Sequence, residues 1–165
     1  MSVVSPGNSK LGKLPNVSLV PGRDCRNCKA CIGTCYAMKA YKAWPSVKAN
    51  WTENSDLLRT DPDAYFTEVR AYLTRTSPVL FRIHVAGDFV SLDHILDWVL
   101  VAQDYPSVRF LAFTKSFDLL PDPTELPRNL SVVVSLFPGM ELSCGVRRRA
   151  WGLQRLPRRK SAPGD

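Results

Sequence analysis

The chain has 165 residues, 45% hydrophobic and 22% charged, the size and balance of one globular domain with a single core. No apolar run approaches the roughly 20 residues needed to span a bilayer, and the opening MSVVSPGNSKLGK lacks the basic and apolar regions of a signal peptide, so a cytoplasmic protein with reduced cysteines is expected. The net charge of +7 is unevenly spread: seven of the 22 basic residues but one of the 15 acidic residues fall in 146–165, which leaves the first 145 at +1.

Residues 1–24 are rich in Pro, Gly, Ser and Asn and read as an irregular arm. Residues 25–37 form a cysteine loop, and Met38 to about Trp51 reads as helix interrupted near Pro45. TDPDAYFTEVRAYLTRTSP is a clearer helix, with Asp61 as N-cap, Pro62 in the first turn and Pro78 as terminator. VLFRIHVAGDF is a strand running into Gly87, and SLDHILDWVLVAQDYP a helix capped by Ser91, with Ile95, Trp98, Val99 and Ala102 inward and His94 at the surface. VRFLAFTKS and NLSVVVSLFPG supply two more strands. Near-continuous apolar strands alternating with helices predict an α/β fold: a partial (β/α) barrel or an open parallel sheet of three to four strands, occupying residues 1–145. Three to four units cannot close an eight-stranded barrel, so the body is open or pairs with a partner, a second copy included. Residues 146–165 form a basic, disordered tail that would meet nucleic acid weakly and without sequence preference.

Each strand ends in small or polar residues: Gly87-Asp88, Thr114-Lys115-Ser116, and Ser135 ahead of Pro138-Gly139. In parallel α/β folds that edge is where active sites assemble. Strand parity puts Arg82, His84, Ala86 and Asp88 on one face, too polar to pack under a helix layer. His84, Asp88 and Lys115 are accordingly the candidate catalytic residues. Tyr36, Tyr41, Trp44 and Trp51 lie among lysines, where they would cover a cofactor or stack on bases.

Four of the five cysteines fall in CRNCKACIGTCYA, spaced C-x2-C-x2-C-x3-C as Cys25, Cys28, Cys31 and Cys35. Structural zinc usually takes two separated pairs; a mononuclear zinc site here could be completed by Cys144 or His84. A larger iron–sulfur cube can be wrapped by one loop, which gives it three thiolates and leaves one thiol spare.

NSKLGK, the loop ending in CYA, FRIHVAGDF, FTKS and LFPGMEL together resemble the gene-product-88 family of phage proteins, over about residues 8–142. The family's C-x5-C-x3-C-Tyr-Ala pattern falls on Cys25, Cys31, Cys35, Tyr36 and Ala37, with Cys28 outside it. The resemblance implies a 4Fe–4S cluster, a host-cytoplasmic location and a distant likeness to radical S-adenosylmethionine (SAM) enzymes. On that likeness Gly87-Asp88, Lys115 and Ser135 would face SAM, with chemistry on a nucleotide or a macromolecule. Two departures stand beside it: Met38 occupies the position where the radical signature has its last cysteine, and the chain ends in an Arg-rich stretch unlike the body, as truncation or a frameshift would leave. The alternative is a zinc-stabilised, non-catalytic module that binds nucleic acid.

Overall fold

A computed structural model describes residues 2–7, 12–122 and 125–137, with the backbone of Gly152–Arg155. Four α-helices stand among them: α1 Tyr36–Ala43, α2 Pro45–Thr60, α3 Pro62–Thr76 and α4 Leu92–Asp104. The strands are β1 Leu80–Ile83, β2 Arg109–Thr114, β3 Leu130–Leu136 and β4 Gly152–Arg155. They form one open sheet in the order β1-β2-β3-β4, parallel throughout. The fold is therefore α/β with an open parallel sheet. Four residues assigned to the basic tail from sequence form β4 beside β3; the rest of 138–165, including Pro138-Gly139 and Cys144, lies outside the described residues.

The helix boundaries follow local chemistry. Asp61 caps α3 by accepting the Ala64 amide, Ser91 caps α4 by accepting the His94 amide, and prolines open α2 and α3. The core lies between the sheet and the helices. Phe81, Ile83, Phe110, Ala112, Leu130 and Val132 point into it from the strands, and Tyr65, Phe66, Val69, Leu73, Ile95 and Trp98 from α3 and α4. Trp98 is its centre, with ring centroids 5.3 Å from Phe66, 5.8 Å from Phe81 and 6.4 Å from Phe110. Aromatic pairs of this kind add roughly 0.5–1.5 kcal/mol each beyond burial.

Two sequence expectations, those for His84 and His94, are corrected here, and the irregular arm takes on a role of its own. The arm is part of the core: Val3, Val4, Val17 and Leu19 are buried, and residues 15–19 run parallel beside β1. Arg82 N–H donates to the Pro15 carbonyl (2.9 Å), Val85 N–H to that of Val17 (3.1 Å) and Leu19 N–H to that of Ala86 (2.9 Å). The segment covers what would otherwise be an exposed sheet edge. Strand parity fails at His84, whose φ of 56° takes the backbone out of the extended conformation. Arg82 stays on the half-buried face, its guanidinium 5.2 Å from the Phe113 ring, while His84 turns into the core against Phe89, His94 and Trp98. His94 is buried too; the outer face of α4 is made by Leu92, Leu96 and Leu100.

Candidate functional site

The cysteine loop leaves residues 15–19 at the same edge where β1 and β2 end, because all three run in one direction. Two short 3-10 turns, Cys28–Ala30 and Ile32–Thr34, fold the loop, with Cys31 between them. Cys35 is the N-cap of α1, its Sγ accepting the Met38 amide at 3.4 Å. Three contacts dock the loop on the sheet edge. Asn27 donates its side-chain amide to the Lys115 carbonyl, Tyr36 donates its hydroxyl to the Val85 carbonyl, and Arg26 pairs with Asp118 at 2.8 Å.

Beneath the loop, Asp88 is 4% exposed and both its carboxylate oxygens are occupied. Oδ1 accepts the Thr114 hydroxyl (2.6 Å) and the Phe89 amide (2.7 Å), and Oδ2 accepts the Lys115 amide (2.8 Å). Burial pushes this carboxyl above its ordinary range, and those three hydrogen bonds and the Lys115 charge pull it back. The Asp88 amide donates to the Asp24 carbonyl at 2.7 Å. Asp88 thus ties the end of β1 to the end of β2 and to the residue before Cys25. It acts as a staple that positions Lys115, and both carboxylate oxygens are already engaged.

Asp24 is a second buried carboxylate in this edge, and the sequence reading missed it. Its side chain accepts the Val20 amide at 3.1 Å and pairs with Arg59 of α2. Ser55 of α2 also accepts the Val20 amide, at 2.8 Å. The signal was available: an acid directly before the first cysteine, with an arginine at the end of α2.

The other expected site residues fall as follows. Gly87 has φ +78°, and a Cβ there would stand 2.6 Å from the Leu19 Cβ, so its bare face is filled by packing. Lys115 is half-buried, with its ammonium 5.0 Å from the Phe137 ring. Ser135 is half-buried on β3, opposite Gln154 of β4. His84 joins the aromatic core with neither ring nitrogen hydrogen-bonded, and burial, then the His94 charge, hold it well below the ordinary histidine range. It stands among aromatic rings and cannot be counted with the loop thiols.

The thiols and the sheet edge share one electrostatic neighbourhood. Cys25 is pushed up to about 12 by burial; the Gly22 amide pulls it back, while Asp88, Cys28 and Cys31 add to the rise. Cys31 is raised by burial, lowered by Lys115, and raised again by Cys35, Cys28 and Asp88. All four are free thiols, half-buried in one loop. As a donor set they suit an iron–sulfur cluster or zinc better than a hard cation. Among the described residues no three His, Cys, Asp or Glu side chains already stand in a metal-holding group. The donors are of the right chemical type, but their sulfurs are not gathered around one point. No helix among the described residues is long and apolar enough to cross a membrane.

A profile of the family described as Gene product 88 matches residues 3–143. The Gene 88 proteins of Mycobacterium phages L5 and D29 are 34% and 32% identical over 125 residues, covering 68% of this chain and 52% of each relative. The chain spans about half the length of these curated relatives. No solved structure matches it.

Proposed function

The chain belongs to the Gene product 88 family, and from that premise we propose that this phage protein carries a sulfur-ligated metal centre of the 4Fe–4S type in its 25–37 loop. Cys25, Cys31 and Cys35 would hold it, with Cys28 as the neighbouring fourth thiol. One observation carries the proposal: the Asn27 side-chain amide donates to the Lys115 carbonyl and the Tyr36 hydroxyl to the Val85 carbonyl, which docks the loop and its four free, half-buried thiols on the polar sheet edge. One short loop wraps a cube more readily than it presents four sulfurs to a single ion.

The chain's own residues prepare such a centre. The Cys25 thiol is protonated at neutral pH, and burial raises it further, so loading must displace a proton against that burial. A bound cluster would supply one-electron chemistry and, with three thiolate ligands, an iron open to a further ligand. Lys115, held by Asp88 and Asn27 through its backbone, would set an ammonium beside a carboxylate or phosphate of that ligand. The edge offers SAM less than the resemblance implies. Gly87 is packed on Leu19 and Asp88 has both oxygens engaged, which leaves Lys115 and Ser135. The proposal is a cluster-binding protein, with SAM cleavage outside it.

Anaerobic reconstitution with ferrous iron and sulfide tests this. The expected result is a brown protein that binds iron and sulfide and loses both in Cys25→Ala, Cys31→Ala and Cys35→Ala. Colourless protein that takes up equimolar zinc instead would support the zinc reading and reject the cluster.

A further inference from the structure

The opposite edge of the sheet, where β2 and β3 begin, holds a groove of about 560 Å³ lined by Pro106, Ser107, Arg109, Arg128, Asn129 and Ser131. We infer that this groove is a phosphate-binding site, for the phosphate oxygens of a nucleotide or of a nucleic-acid backbone. It is independent of the cysteine loop, which lies at the other end of the same strands.

The charge arrangement makes the case. Arg109 opens β2 and Arg128 lies two residues before β3, and both line the groove. Two like charges lining one groove repel each other unless an anion lies between them. Both arginines are exposed, and among the described residues neither has an acidic partner; Arg23, Arg26, Arg59 and Arg70 all do. No carboxylate lines the groove. An anion with several oxygens, seated between two guanidinium forks, relieves this repulsion and takes paired hydrogen bonds.

The wall is held rigid. The Asn129 side-chain amide donates to the carbonyls of Ala102, Tyr105 and Val108 at 2.9, 3.1 and 2.9 Å, fastening the end of α4 and the entry to β2. The Ser107 and Ser131 hydroxyls add donors, so the lining offers more of them than a two-oxygen carboxylate uses. None of the six residues is aromatic. The ligand would be held by its phosphate, with no platform for base stacking and no sequence preference.

The test uses the full chain, a labelled mixed-sequence single-stranded oligonucleotide and, separately, pyrophosphate. The parent is compared with Arg109→Ala/Arg128→Ala, with the double Lys variant, and with Arg75→Ala, an exposed arginine outside the groove. Unchanged urea midpoints establish that each variant folds. The double Ala variant should bind at least about tenfold more weakly. Its slope of log affinity against log salt should fall by about 1.4, at about 0.7 per single-strand phosphate contact. The double Lys variant should be intermediate, because it keeps the charge and loses the fork, and Arg75→Ala should match the parent. Oligonucleotide binding that needs both arginines identifies a polymer backbone; pyrophosphate binding alone that needs them identifies a free nucleotide or phosphate. Binding of neither, equal binding by the double Ala variant, or tighter binding of a polyglutamate peptide than of either probe would overturn the proposal.

Discussion

Gly87 and Asp88 perform two different tasks one residue apart. Gly87 lets Leu19 approach to where a side chain would be, and Asp88 gathers three donors from β2 and its own turn. Gly87→Ala should destabilise the chain by about 2–4 kcal/mol, from a strained positive φ together with overpacking on Leu19. A urea midpoint equal to the parent's would show that Leu19 moves aside freely. Asp88→Asn keeps the shape but puts an NH2 where one donor now points, and should cost about 2 kcal/mol; equal unfolding curves would show that the staple carries no weight. The Gly-Asp turn was legible in the sequence because both residue types favour turns. Its partners were not: Leu19 and Asp24 meet it only through contacts across the fold. His84 was misplaced because alternation assumes extended backbone, and one left-handed residue reverses the face.

At the level of elements, caps were the readable signals. Asp61-Pro62 and Ser91 mark the starts of α3 and α4, and each cap is made as expected. Asp61→Ala should cost about 1 kcal/mol in urea unfolding, and a neutral result would show that Pro62 alone suffices to start α3. The length of α2 was not legible beyond Trp51. Its buried positions include Asn54 and Ser55, polar residues that bond the arm at Val3, Ser18 and Val20, so the apolar stripe that betrays a helix is missing. Residues 15–19 escaped notice for a related reason: a short segment after a proline, extended by pairing with β1, has no alternation of its own. Cys35 joins element to site. Cys35→Ser keeps an N-cap acceptor for Met38 and removes a soft ligand. The metal-free variant should unfold at the parent's urea concentration or above it, yet bind no cluster. A clearly lower midpoint would mean that the thiol packs more than it caps, and retained iron would remove Cys35 from the ligand set.

Over the whole molecule, the α/β class and the gathering of polar residues at one sheet edge were legible from strand composition, whereas the buried histidine pair was not. Burial holds His84 well below 6.5 and takes His94 down to about 3. Both are charged more easily in the unfolded chain, so the stability their neutrality allows is complete above about pH 6.5. It is lost as pH falls toward the folded values, by about 1.4 kcal/mol per pH unit for each histidine. The raised Asp88 carboxyl works in the other direction, since its protonation relieves part of its burial. Urea midpoints at about pH 7 and about pH 5 should therefore differ strongly, with the acid value lower. Equal midpoints would mean that water reaches the pair. The claim on which the functional account rests is that the cysteine loop holds iron and sulfide beside the Asp88–Lys115 edge. Iron, sulfide and zinc analysis of protein purified without oxygen tests it most directly. About four irons and four sulfides per chain are predicted for a cubane centre; zinc in stoichiometric amount with no sulfide, or neither metal, would contradict it.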